Sequence, residues 1–207
     1  MTAVPPDWVT LPDEVFRDRY RPAHRLTRGY LHRVLLRALG PAVERLPSDE
    51  DLDCQALVVD LAPPLPPRLR FYVYEATQHA SERQRGTFKV QLTKGVAGPC
   101  TSGRRLHFDR AGNIRPILTG YHPDWHLFIL WDADLHDLGG GFAYSKNVQA
   151  PPDVVWGAIA HGLAHGDRRL KNPAVTETIV AARPRRLAEA LGLRIRLSNR
   201  TLCAGVL

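Results

Sequence analysis

Between Ala56 and Gln149 the chain is a succession of short apolar or alternating runs joined by turns. Ala56 to Leu61 is Val-rich, Arg68 to Glu75 alternates, and Thr87 to Thr93 places Phe88, Val90 and Leu92 on one side. Ile114 to Thr119, His126 to Asp132 and Phe142 to Gln149 follow. Alternation of period two marks strands with one covered face, and an unbroken apolar run marks a strand covered on both. Parallel neighbours need a long crossover, usually a helix, and none separates these runs. A regular doubly wound sheet is therefore excluded. The pattern predicts an α+β fold: a curled, mostly antiparallel sheet or pseudobarrel of about seven strands, with N- and C-terminal helices packed around it.

The flanks supply the helices. Residues 1–21 hold three prolines and no periodicity, and read as an extended arm. Residues 22–207 read as a single domain, the size expected for one hydrophobic core. Residues 22–46 show Leu26, Tyr30, Val34 and Ala38 at i+4 spacing, with a break or kink at Gly40-Pro41. Ser48 to Asp53 reads as an acidic loop. Asp109 to Asn113 reads as a hairpin turn between Arg104–Phe108 and Ile114–Thr119. Pro151-Pro152-Asp153 opens a helix to about His165. Thr176 to Ala182 is a strand, Pro184 to Leu191 a short helix ended by Gly192, and Leu193 to Leu197 a last strand.

The charge balance points to a partner. The formal net charge is +7, and 24 of the 28 basic residues are Arg. Arg grips phosphates and guanine edges bidentately and stacks on bases. No apolar run is long enough to span a bilayer, and no secretory signal is visible. Three separated cysteines do not form a disulfide framework. These features predict a cytoplasmic protein with no membrane partner.

Catalytic patterns are sparse. His161 and His165 have the i+4 spacing of a metal pair, without a nearby acid to serve as base. Asp132, Asp134 and Asp137 cluster after an apolar strand and could hold magnesium. Glu75 and Lys89 resemble part of a restriction-type nuclease pair, but Thr87 stands where the second acid belongs. Phosphate loops and serine-hydrolase elbows are absent, and no cofactor is expected. The balance favours binding over catalysis, with no catalytic or metal residue assigned.

Basic, amide and aromatic residues concentrate between 104 and 149. Lys89, Arg104, Arg105, Arg115 and Lys146 are candidates for holding phosphates, and His107 is a further candidate nucleic-acid contact. Tyr144, Asn147 and Gln149 are candidates for base edges, and Tyr121 and Trp125 for the walls of a base pocket. This reading requires the basic residues to converge on one cationic cleft with an aromatic floor.

Four pieces carry a resemblance: Phe88-Lys89-Val90-Gln91-Leu92, Leu118-Thr119-Gly120-Tyr121, Leu127 to Ala133, and Phe142 to Gln149. Together, over residues 87–150, they resemble a DNA-recognition region of bacterial restriction and modified-DNA-dependent defence proteins. Some such regions are pseudobarrel readers of methylated cytosine. The resemblance implies a DNA partner, including methylated duplex, and a pocket for a 5-methylcytosine-type base. Metal-dependent endonuclease activity through Asp132, Asp134, Glu75 and Lys89 is the alternative. A basic face that meets an acidic protein is a third.

Overall fold

A computed structural model describes residues 26–78, 87–92, 107–137, 146–171, 174–203 and 205. The fold is α+β, built as three layers. Its middle layer is a seven-stranded mixed sheet, ordered β1 (Val43–Arg45), β2 (Leu57–Leu61), β3 (Arg68–Glu75), β6 (Arg115–His122), β7 (Leu127–Trp131), β10 (Thr176–Ala182) and β9 (Leu163–Arg169). Within it only β3 and β6 run parallel. The sheet is open rather than closed, so the pseudobarrel form is not adopted.

One face of this sheet is covered by α1 (Arg28–Leu39) and α5 (Leu187–Cys203). Thr27 caps α1, its hydroxyl accepting the Tyr30 N–H at 3.2 Å. Leu31, Val34, Leu35 and Leu39 then face the sheet on one stripe. Gly40 ends the helix with φ of 51°, a conformation that disfavours a side chain. Pro41 follows, and the chain turns into β1, so the helix is shorter than 22–46.

The other face carries α4 (Pro152–His161) and a three-stranded sheet, β4 (Thr77–Gln78), β5 (Phe88–Leu92) and β8 (Lys146–Ala150). Phe88, Val90, Leu92, Val148 and Ala150 point inward from this small sheet and are fully buried. They meet the large sheet where it has least bulk. A Cβ on Gly120 would lie 2.7 Å from Val90 Cγ1 and 2.8 Å from Trp131 Cζ3. β7 is buried along its whole length, as its apolar run predicts.

Several elements differ from the sequence pattern. Ser48–Asp53 contains a capped turn of helix, α2 (Asp49–Leu52), closed by a reciprocal Ser48–Asp51 box. No hairpin forms through Asp109–Asn113, because β6 has β3 and β7 as its neighbours. Gly162, at φ 83°, ends α4. The chain then reverses into β9, which the sequence pattern merged with the helix. Gly192 does not end the last helix, and 193–197 is not a strand. Leu187, Ala190, Leu191, Arg194, Ile195 and Ser198 form one buried stripe that runs through it. That burial outweighs the roughly 1 kcal/mol cost of a mid-helix glycine. The arm 1–21 lies outside the described residues.

Two buried histidines make the fold sensitive to acid. His32 Nδ1 lies 2.7 Å from the Leu52 carbonyl, so it donates there, and burial lowers its pKa. Burial also lowers that of His122, whose ring stands edge-on to Phe88 at 5.1 Å. The unfolded chain therefore takes up protons at a higher pH than the folded one. The contribution of these two histidines to stability is full above about pH 6.5 and is lost as pH drops below it, by up to about 1.4 kcal/mol per unit for each. Urea unfolding at several pH values should show this slope, and His122→Phe should remove part of it. Separately, Gly120→Ala should destabilise by about 1–3 kcal/mol through overpacking, read in the same urea assay.

Candidate functional site

β3 leaves the large sheet at Glu75, and after Ala76 the chain enters the small sheet as β4. At this crossing lies a cleft of about 490 Å³. Its volume falls within the roughly 300–1,000 Å³ typical of small-molecule sites. The cleft is lined by the start of α1 (Leu26, Arg28, Leu31), Gln55, the end of β3 (Val73, Tyr74, Glu75), Thr77, Lys89, Gln91 and Asn147. Strand alternation explains the last three. Phe88, Val90 and Leu92 must face the core, so Lys89 and Gln91 face away from it. Antiparallel pairing sets Asn147 directly across from Gln91. Thr77 is likewise across from Lys89.

Local contacts stiffen this lining. Arg28 donates to the Asp53 carbonyl at 2.9 Å and to Gln55 Oε1 at 3.1 Å. Gln55 Nε2 donates in turn to Tyr74 Oη at 2.8 Å. Burial raises the pKa of the Tyr74 phenol, which stays protonated. The Leu26 N–H donates to Glu75 Oε2 at 3.2 Å. The result is a recess offering one carboxylate, one ammonium, one guanidinium and several amides.

Of the eleven residues expected to contact nucleic acid, Lys89 and Asn147 line this cleft. Arg104, Arg105 and Tyr144 lie outside the described residues, and Lys146 is described only as a strand position. His107 is exposed, its Nδ1 3.0 Å from Asp137 Oδ1. Arg115 borders a separate open depression with Arg68 and Asn113. Gln149 is engaged elsewhere: Arg168 donates to its carbonyl at 2.7 Å and to its Oε1 at 3.1 Å. Tyr121 is no pocket wall. It is fully buried, with its hydroxyl 2.9 Å from His126 Nδ1. Trp125 is 38% exposed and meets Trp156 edge to face at 5.5 Å, away from the cleft lining.

The single arginine-lined cleft is not seen among the described residues. Asp60 holds both Arg45 and Arg68, while Arg70 pairs with Asp109, Arg110 with Asp134 and Arg186 with Glu189. Most of these pairs are exposed and fix side chains at little gain in stability. Gln91, Gln55 and Arg28 had no motif to reveal them, although β5 alternation puts Gln91 on the Lys89 side.

The metal constellations also come apart. β7 ends at Trp131 and α3 (Ala133–Asp137) begins at once, so Asp132 and Asp134 do not share a strand face. Asp132 is 1% exposed, and its Oδ2 accepts from Arg194 Nη2 and Ser198 Oγ, both at 3.0 Å. Its backbone N–H donates to Glu177 Oε1 at 3.0 Å, and His136 Nε2 lies 2.9 Å from the same oxygen. This carboxylate anchors α5 to the sheet. His161 ends α4 whereas His165 lies in β9, so their i+4 spacing is not helical. Among the described residues no group of three His, Cys, Asp or Glu could hold a metal ion.

The fold and cleft define an α+β protein with a polar recess and a compact structural ion-pair network. Within that class the chain belongs to the methylase-associated X1 (MTaX1) family, whose model matches residues 67–191, more than half of its length. This family places it in a restriction–modification context. No curated protein and no solved structure matches the chain. No described helix is long and apolar enough to cross a membrane.

Asp132→Ala would strand the buried Arg194 charge. It should destabilise the fold by about 3–5 kcal/mol in chemical denaturation. An Asp132→Ala, Arg194→Met double variant should lose less than the sum of the two single variants.

Proposed function

We propose that the protein is a DNA-contacting accessory component of a restriction–modification system, which reads the modification state of the duplex through the β3–β5–β8 cleft. The observation that carries this reading is the gathering of Lys89, Gln91 and Asn147 on one recessed face. An ammonium neutralises a phosphate or meets a base acceptor, and amides pair with base edges. Two further facts support it: the net charge of +7 and the methylase-associated family. A 5-methylcytosine-type base is the modification that the resemblance over residues 87–150 favours. A second reading, which the net charge of +7 serves equally, is that the basic surface meets an acidic protein partner.

Fluorescence anisotropy with plain and methylated duplexes at two salt concentrations tests both. The expected result is binding that weakens steeply with salt and is tighter for methylated DNA. Lys89→Gln should reduce the salt slope by about one. Equal affinity for the two duplexes would remove modification reading. Absence of binding at low salt would overturn the DNA reading in favour of the protein partner.

A further inference from the structure

We propose that the free edge of β9 pairs with the same edge of a second copy of this chain, antiparallel about a two-fold axis at Gly166. Such a dimer requires no DNA and stands apart from the DNA reading.

A sheet edge presents unpaired N–H and C=O groups, and proteins normally blunt it. Three of the four edges of the described sheets are blunted. β1 has three residues and a shift in its pairing register. β4 has two residues. On β8, Trp131 Nε1 and Arg168 Nη1 both donate to the Gln149 carbonyl. β9 differs, because it has seven residues and pairs with β10 without a bulge. The Arg183 N–H donates to the Gly162 carbonyl and the Leu170 N–H to the Val175 carbonyl, which fixes the phase of this ladder. Ala164, Gly166 and Arg168 therefore bond to β10. Leu163, His165, Asp167 and Arg169 turn their N–H and C=O groups outward. Among the described residues nothing bonds to these outward groups. The even-numbered side of the strand is covered by α4, where a Cβ on Gly166 would lie 2.7 Å from Val154 Cγ2. His165, Asp167 and Arg169 are exposed.

Charge selects the partner and the register. Pairing centred on Gly166 engages all four outward residues of each copy. It sets His165 across from the partner's Asp167 and Leu163 across from the partner's Arg169, with no like charges opposed. A slide of one ladder step either way opposes Asp167 to Asp167 or His165 to His165, and leaves outward groups unused. A uniformly acidic or basic strand of another protein would oppose Asp167 or Arg169 with its own sign.

Sedimentation velocity on the full chain from about 1 to 100 μM should show a monomer–dimer equilibrium, the range expected of a small interface. NMR-detected hydrogen exchange should slow at the His165 and Asp167 amides as concentration rises, while Ala164 and Gly166 stay protected at every concentration. His165→Pro removes an outward N–H that β10 does not use, and an edge strand tolerates proline there. It should raise the dissociation constant at least about tenfold, since each copy loses a donor. Asp167→Lys should weaken the dimer about threefold, and His165→Glu together with Asp167→Lys should restore it. Wild-type circular dichroism checks folding; where His165→Pro does not fold, hydrogen exchange and the charge variants decide. A monomer at every concentration would overturn the proposal. So would a dimer whose His165 and Asp167 amides exchange freely, or one that folded His165→Pro leaves intact, since either would form through another face. Equal weakening by Asp167→Lys and by the double variant would overturn the pairing about Gly166.

Discussion

The seating of the small sheet on the large one governs the rest of the structure. Phe88, Val90 and Leu92 bury themselves against a surface that Gly120 leaves open beside Trp131. Because strand side chains alternate, burying those three fixes Lys89 and Gln91 on the opposite face. Pairing of β5 with β8 then fixes Asn147. The hydrophobic contact and the polar recess are two sides of one five-residue strand. A shift of register by a single residue would bury Lys89 and Gln91 and expose the apolar set.

A second constraint lies behind the sheet. Arg194 on α5 and Asp132 after β7 are both buried, and Ser198, Glu177 and His136 complete their contacts. Such a network is costly to desolvate and tolerable only when its members are paired. It holds the C-terminal helix in one orientation on the sheet. The same acids looked like metal ligands in sequence, since a carboxylate cluster after a strand reads alike whether it binds a cation or an arginine. The arginine lies 62 residues further along the chain.

The arginine excess divides in a similar way. Many guanidiniums pair with carboxylates or grip backbone carbonyls, as Arg183 does at Trp125. The net positive balance survives this pairing, but it is not focused into one groove among the described residues. The cleft at the crossing of the two sheets instead has a mixed rather than purely cationic lining.

Although β3, which alternates in sequence, is buried on both faces, sequence alone determined the strand-rich α+β class, the fully covered β7, the faces of β5, and the start of α4. Each depends on side-chain periodicity or on a proline or glycine, which act over a few residues. It also placed Lys89 and Asn147 among the contact candidates. Only the tertiary structure decided that Tyr121 is core, that Gln149 is held by Arg168, and that Asp132 is a structural anchor. It likewise decided that the last helix runs through Gly192 and that Glu75 shares a recess with Lys89. Those outcomes depend on contacts between residues far apart in the chain, and burial energy there overrides local propensity.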